Sequence, residues 1–312
     1  LGFGPLTRLL EDPDTTEIMV NGTRSLYVEK LGQLYPIQNT FTTEEEVLRV
    51  MNKIVSRVGR RIDTASPTVD ARLPDGSRVN AIIAPLSLIG PILTIRRFPK
   101  NPPTLNLLLE KETLNHELAE FLTACVLNKK NIVISGGTGS GKTTTLNALA
   151  GLVPGHERLI TIEDSAELKI DHPHLVSLES RPANLEGRGE ITVRTLLKNA
   201  LRMRPDRIIV GEIRGGEALD MLQAMNTGHP GSLTSVHANS PLEALHRIES
   251  LALMSDVLLP HRAIREQVRG AVNIIVQQTR LSSGERKIVE VSELISGKDG
   301  EDGYSLVQVF KL

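Results

Sequence analysis

"NIVISGGTGSGKTTTLNALAG", residues 131–151, decides how the rest of the chain is read. An apolar run, Ile132-Val133-Ile134, enters a glycine-rich turn, and an alternation suited to a helix leaves it. Between them stands Gly136-x-x-x-x-Gly141-Lys142-Thr143. Glycines at these positions let the backbone wrap closely round phosphate oxygens with its N–H groups turned inward, and the helix that follows presents its positive end to the same anion. Gly136, Gly137, Thr138, Gly139, Ser140, Gly141, Lys142, Thr143 and Thr144 are therefore expected to cradle a nucleotide. Lys142 supplies a point charge for the β- and γ-phosphates and Thr143 a hydroxyl for Mg²⁺. A glycine-rich turn without a ligand is the plainer alternative, but strand, spacing and helix together favour ATP.

Downstream, the apolar stretches "RLITIED", "DRIIVGEI" and "SLTSVHA" interleave with helical patterns such as "TVRTLLKNALRM" and "EALDMLQAMN". Buried strands alternating with helices predict a mainly parallel sheet covered on both faces. The tail, "NIIVQQTR", "RKIVEVSEL" and "SLVQVFK", reads as consecutive strands at the end of that sheet. Upstream, "EIMVNG", "SLYVEK" and "QLYPIQ" read as short strands. Thr43 stands three residues before Glu46, the spacing of a capping box, and opens an amphipathic helix with Val47, Met51, Ile54 and Val58 on one stripe. A hairpin is expected round Asp75-Gly76, then a strand in "PILTIRRF". The expected organisation is a small α+β domain over residues 1–98, a proline-rich linker over 99–104, and an α/β domain over 105–312.

Composition narrows the function classes. Net charge is −1 with a pI near 6.8, so no overall basic field holds nucleic acid, and direct nucleic-acid contact is not expected. The single cysteine, Cys125, cannot form an internal disulfide, and a reducing compartment fits it. The longest apolar runs are cut by Pro85, Gly90 and Pro91 short of the ~20 residues of a spanning helix. No signal-peptide pattern is legible from Leu1 onward, and a cytoplasmic protein is expected.

Hydrolysis asks for more than a cradle: a carboxylate to handle water and positive charge to meet the γ-phosphate. "TIEDSAEL", residues 161–168, places Glu163 and Asp164 at a strand end. "RIIVGEIRGG", residues 207–216, places Glu212 at another, with Gly211 where a magnesium-binding Asp would ordinarily stand. "TGHPGSLTSVHANS", residues 227–240, puts His229 and His237 on either side of a third strand. An acidic pair at a strand end is often only a helix cap, and histidines are often polar core residues. Zinc is disfavoured, because the lone cysteine is remote and no His-x-x-x-His pair occurs. In a parallel sheet, however, the carboxyl ends of neighbouring strands converge on the ligand crevice, which groups Glu163, Glu212 and His237. Arg60, Arg61, Arg72, Arg78, Arg96 and Arg97 crowd the first domain.

These motifs, in this order, resemble the Walker A, Asp box, Walker B and His box of the type II/IV secretion ATPase superfamily. "VDARLPDGSRVNA", "EGRGEITVRTLLKNALRMRPD", "ALRMRPDRIIVGEIRGGEALDMLQAMNTGH" and "VHANSP" resemble its CpaF branch, the ATPases of Tad (Flp) pilus assembly. The resemblance spans essentially the whole chain. It implies a RecA-like ATPase domain behind a PAS-like N-terminal domain, a homo-hexamer, and mechanical work passed to inner-membrane platform proteins from the inner face of the membrane. It further implies that either Glu212 or Glu163 manages the attacking water, Glu163 and Asp164 organise Mg²⁺ and its waters, and His237 and His229 sense the γ-phosphate or the next subunit. Arg96 and Arg78 are the expected arginines for the γ-phosphate. A type IV secretion traffic ATPase, a nucleotide-gated module with little turnover and a small-molecule kinase are the alternatives.

Overall fold

The computed structural model describes residues 3–30, 32–38, 41–98, 102–181, 183, 188–295 and 304–312, and it divides into two compact units, Leu1–Lys100 and Asn101–Leu312. Of the expected linker, residues 99–101 lie outside the described residues, as do the first two residues of "EGRGEITV".

The first unit runs α1 (Leu6–Glu11), β1 (Thr15–Asn21), β2 (Ser25–Lys30), β3 (Gln33–Ile37), α2 (Glu44–Ser56), β4 (Thr68–Arg72), β5 (Arg78–Ile82) and β6 (Ile92–Arg96). Its strands form an antiparallel sheet in the order β3-β2-β1-β6-β5-β4. One face carries Ile18, Val20, Val28, Val79, Leu93 and Ile95, on which α2 lays Val47, Met51, Ile54 and Val55. The expected capping box forms by half: Thr43 Oγ1 accepts from Glu46 N–H at 3.3 Å, but the Glu46 carboxylate turns to Thr42, taking its N–H at 2.8 Å.

The register of this sheet produces a row that the sequence did not foretell. Arg72 stands opposite Arg78, Arg78 opposite Arg96, and Arg96 opposite Glu17, so three guanidinium groups share the face turned away from α2. Arg96 Nε lies 3.4 Å from Glu17 Oε1. Arg97, next in sequence, is a structural anchor: its Nη1 donates to the carbonyls of Asp12 and Thr15 and pins the start of β1.

The second unit begins with α3 (Leu105–Glu110) and α4 (His116–Leu127). It continues β7 (Ile132–Gly136), α5 (Lys142–Ala150), β8 (Leu159–Glu163), β9 (Leu175–Glu179), α6 (Val193–Ala200) and β10 (Arg207–Val210). Then come α7 (Glu217–Asn226), β11 (Leu233–Val236), α8 (Pro241–Leu253), α9 (His261–Ala271), β12 (Ile274–Arg280), β13 (Arg286–Ile295) and β14 (Ser305–Lys311). The sheet order is β14-β13-β12-β7-β11-β10-β8-β9. Strands β12 to β9 in that order are parallel, and β13 and β14 extend the edge antiparallel, as the tail pattern predicts.

Alternation along β10 shows why this sheet needs cover on both sides. Ile208 and Val210 enter the core made with α6, α7, α8 and α9, whereas Ile209 enters the core made with α3, α4 and α5. A run without polar gaps fits only such a central strand. Cys125 is buried in the second of these cores, where burial pushes its thiol up to about 11.

Candidate functional site

Every strand of the parallel set points the same way, so the segments leaving β7, β8, β10 and β11 emerge on one edge. The phosphate loop leaves β7 at Gly136. Gly141, with φ of +97°, takes a left-handed conformation that costs a side-chain-bearing residue but not glycine, and α5 starts immediately after it. The loop is also pressed from the side. A Cβ on Gly136 would stand 2.3 Å from the Gln278 carbonyl oxygen. One on Gly141 would stand 2.9 Å from Gln278 Nε2 and 3.1 Å from Arg286 Cδ. Gln278 Oε1 accepts from Thr145 Oγ1 at 2.8 Å, and Arg286 Nε donates to Gly139 O at 3.0 Å. The β12–β13 hairpin thus fixes the loop's shape, a function that "VQQTR" shows by no motif.

Lys142 opens α5 and is buried. Its Nζ donates to Gly136 O at 2.9 Å and Gly137 O at 3.0 Å and lies 3.3 Å from His237 Nε2. Burial lowers its pKa, and Arg214 adds to the effect, against the opposing pull of Glu212. These two carbonyls and an imidazole are weak partners for an ammonium group, and the oxygens of a phosphate chain are stronger ones. Thr143 and Thr144 sit half-buried in the same first turn.

His237 follows β11. Its pKa is lowered by burial and then by the Lys142 charge, so at neutral pH the ring is uncharged. Glu212 follows β10, with Oε1 at 3.3 Å from the same His237 Nε2. An Nε2 lone pair that receives Lys142 has no proton for Glu212, so the ring serves one neighbour at a time. Glu212 Oε2 takes two hydrogen bonds from Arg214, from Nη2 at 2.6 Å and Nε at 3.0 Å.

Glu163, at the end of β8, is 5% exposed, and its carboxylate accepts the backbone N–H groups of Glu167 at 2.9 Å and Leu168 at 3.1 Å. Asp164 is exposed and lies 4.0 Å from Arg214 Nη1. The structure therefore gathers Lys142, His237, Glu212, Arg214 and Asp164 in one chain of neighbours beside the loop.

His229 is not brought to this edge. It precedes β11 and so lies at the opposite end of that strand from His237, with its carbonyl accepting from Ser232 Oγ. Arg78 and Arg96 belong to the arginine row of the first unit. Motif reading passed over Glu217, and it does not reach the pairing of Arg214 with Glu212, which is legible only in the turn after β10. Glu217 Oε1 accepts the N–H groups of Arg214 at 2.6 Å and Gly215 at 2.8 Å.

The donor set fits a nucleotide with Mg²⁺. A buried cation, a glycine cradle and part-exposed hydroxyls stand together, with acidic residues at the ends of β10 and β8 on the same edge of the sheet. No cluster of three or more His, Cys, Asp or Glu residues able to hold a metal by themselves occurs among the described residues.

Residues 1–295 match the family described as "Type II/IV secretion system protein". The chain belongs to that family. Its relatives include the conjugal transfer protein TrbB of Rhizobium radiobacter, 35% identical over 281 residues that cover 89% of this chain and 83% of TrbB. Among solved structures it resembles the VirB11 ATPase of the Brucella suis type IV secretion system in complex with sulphate. That match has 30% identity and a TM-score of 0.52, covering 93% of this chain and 95% of VirB11. The pilus retraction motor PilT with bound ADP, at 20% identity and a TM-score of 0.64 over 97% of this chain and 80% of that one, shares the fold. The second unit is thus the RecA-like ATPase domain of this family, and the first is its N-terminal domain.

Proposed function

We propose that the protein hydrolyses ATP with Mg²⁺ and drives a pilus or secretion machine as a hexameric ring at the inner face of the membrane. The observation that carries this is the succession Lys142, at the start of α5, His237, after β11, and Glu212, after β10, with 3.3 Å between each pair of neighbours. It pairs a cation for the phosphates with a carboxylate for water. In the proposed reaction Lys142 exchanges the Gly136 and Gly137 carbonyls for β- and γ-phosphate oxygens. Mg²⁺ would be held by the Thr143 hydroxyl, with Asp164 and Glu163 acting through waters, and would neutralise charge on the phosphates. Glu212 takes the proton of the attacking water. Glu163 anchors the segment that carries Asp164 by holding Glu167 and Leu168 N–H. Neutral His237 reports the presence of the γ-phosphate through Lys142. Arg78 and Arg96 are the proposed source of positive charge from the N-terminal domain, and His229 is a residue for contact with another subunit.

For the machine, Tad/Flp pilus assembly is the finer reading, supported by "VDARLPDGSRVNA" and "ALRMRPDRIIVGEIRGGEALDMLQAMNTGH". A traffic ATPase of type IV secretion is the second reading, favoured by the likeness to TrbB over 83% of its length and to VirB11 over 95%. No described helix is long and apolar enough to cross a membrane, and platform proteins are the proposed place of membrane docking in either reading. The test is phosphate release from ATP and Mg²⁺ across protein concentrations that span ring assembly. Turnover that rises with assembly and vanishes in Lys142→Ala is expected, and turnover unchanged in Lys142→Ala would overturn the proposal.

A further inference from the structure

We infer that Arg214 is the positioning residue that aims Glu212 at the phosphate loop, with Glu217 holding Arg214 in place. The inference rests on the reading of Glu212 as the residue that takes the proton from water. A glutamate carboxylate turns about a broad, roughly two-fold terminal torsion, so its two oxygens are interchangeable unless a partner tells them apart. Arg214 does so: both of its hydrogen bonds, at 2.6 Å and 3.0 Å, fall on Oε2, and Oε1 is left facing His237 and, beyond it, Lys142. The proton-accepting lone pair is thereby presented on the loop side.

Arg214 itself has a long, 65% exposed side chain, whose aim depends on its backbone. Glu217 supplies that support by taking the N–H groups of both Arg214 and Gly215 on one oxygen. The turn is backed further on: a Cβ at Gly216 would stand 2.8 Å from Ser255 Cα, so the segment after Arg214 lies flat against the end of α8. The positioning chain therefore runs from the α8 end through Gly216 and Glu217 to Arg214 and Glu212.

The test compares wild type, Arg214→Ala, Arg214→Lys, Glu217→Gln and Glu212→Gln by steady-state hydrolysis and by binding of a fluorescent ATP analogue. Misaiming a catalytic group lowers kcat by about 10- to 100-fold with little change in ground-state affinity. Arg214→Ala is expected to show that split. Arg214→Lys should recover part of the loss through its single charge, and Glu217→Gln should show a smaller kcat loss in the same direction. Combining Arg214→Ala with Glu212→Gln should cost no more than Glu212→Gln alone. Unchanged kcat in Arg214→Ala, with Glu212→Gln inactive, would overturn the inference alone. Equal losses of affinity and kcat in Arg214→Ala would place Arg214 on the nucleotide instead. Full turnover by Glu212→Gln would remove the reading beneath it. If Arg214→Ala does not fold, the Arg214→Lys and Glu217→Gln results decide in the same way.

Discussion

Gly211 lies directly against Glu163: a Cβ at position 211 would stand 2.9 Å from Glu163 Cγ and 3.2 Å from its Oε1. The missing aspartate at the end of β10 thus has a packing reason. Glu163 occupies the space that a side chain at 211 would need, and its carboxylate is committed to the Glu167 and Leu168 N–H groups.

Gly211→Asp is therefore expected to inactivate the enzyme rather than to restore a magnesium ligand. The new carboxylate drives Glu163 off its backbone partners and puts two like charges side by side at a buried position. Hydrolysis should fall at least about tenfold and the protein should lose roughly 1–3 kcal/mol of stability. Activity and unfolding temperature of Gly211→Asp and Gly211→Ala check this, and wild-type values in both variants would refute the packing argument.

The strand–loop–helix character of residues 131–151 was legible because periodicity, glycine spacing and Lys142-Thr143 are local properties. So was the double-covered sheet, from apolar strands that leave no polar face. Register was not legible, and with it the row Arg72, Arg78, Arg96, because cross-strand neighbours far apart in sequence leave no local mark. The roles of Gln278 and Arg286 against the phosphate loop stayed hidden for the same reason: β12 adjoins β7 only once the sheet is ordered. Histidines eight residues apart looked alike on the page, yet a strand between them sends His229 and His237 to opposite edges.

His237 carries a pH signature. Its pKa lies below the ordinary 6.5, chiefly from burial and then from Lys142, so the neutral ring is the native form and protonation opposes it. Because the folded value is depressed, the contribution is complete above pH 6.5 and is lost as pH falls through the folded pKa. Wild-type turnover should decline on that acid side, and His237→Gln should lack that limb of the profile. Superimposable acid limbs in the two proteins would rule His237 out as their cause.

Arg207 is fully buried and bidentate on Glu157, with Nε to Oε2 at 2.7 Å and Nη2 to Oε1 at 3.1 Å, while Nη1 reaches Val126 O at 2.6 Å. It starts β10, at the far end from Glu212. Removing Arg207 leaves the buried Glu157 carboxylate with Lys129, whose Nζ lies 3.4 Å from Oε2, in place of a bidentate partner, at a cost of about 3 kcal/mol. Arg207→Met should lower the unfolding temperature by about 10 °C while leaving the KM for ATP near wild type. Calorimetry and steady-state kinetics measure the two quantities, and an unchanged unfolding temperature would contradict the assignment.

Glu249 joins α8, α9 and β14's approach: its carboxylate accepts from Tyr304 Oη at 2.5 Å, Arg265 Nε at 3.0 Å and faces His261 Nε2 at 3.0 Å. Burial alone would raise its pKa, but the hydrogen bonds from Tyr304 and Arg265 outweigh burial and the net direction is down. A depressed carboxylate stabilises the fold above its unfolded value, near 4.5, and that stability is lost as pH falls through the folded pKa. Glu249→Gln should thus cost about 3 kcal/mol at neutral pH and progressively less below about pH 4. Urea denaturation at several pH values reads this, and a pH-independent difference between the two proteins would exclude the ionised network as its source.

Glu212→Gln keeps the shape of the side chain and its place beside Arg214 and His237 but removes the charge that accepts a proton. Single-turnover phosphate release from ATP and Mg²⁺, measured beside binding of the same nucleotide, isolates that loss. Binding within about threefold of wild type with release slowed at least about 100-fold is the expected result. Release at the wild-type rate, with binding intact, would show that water is handled by a group other than Glu212.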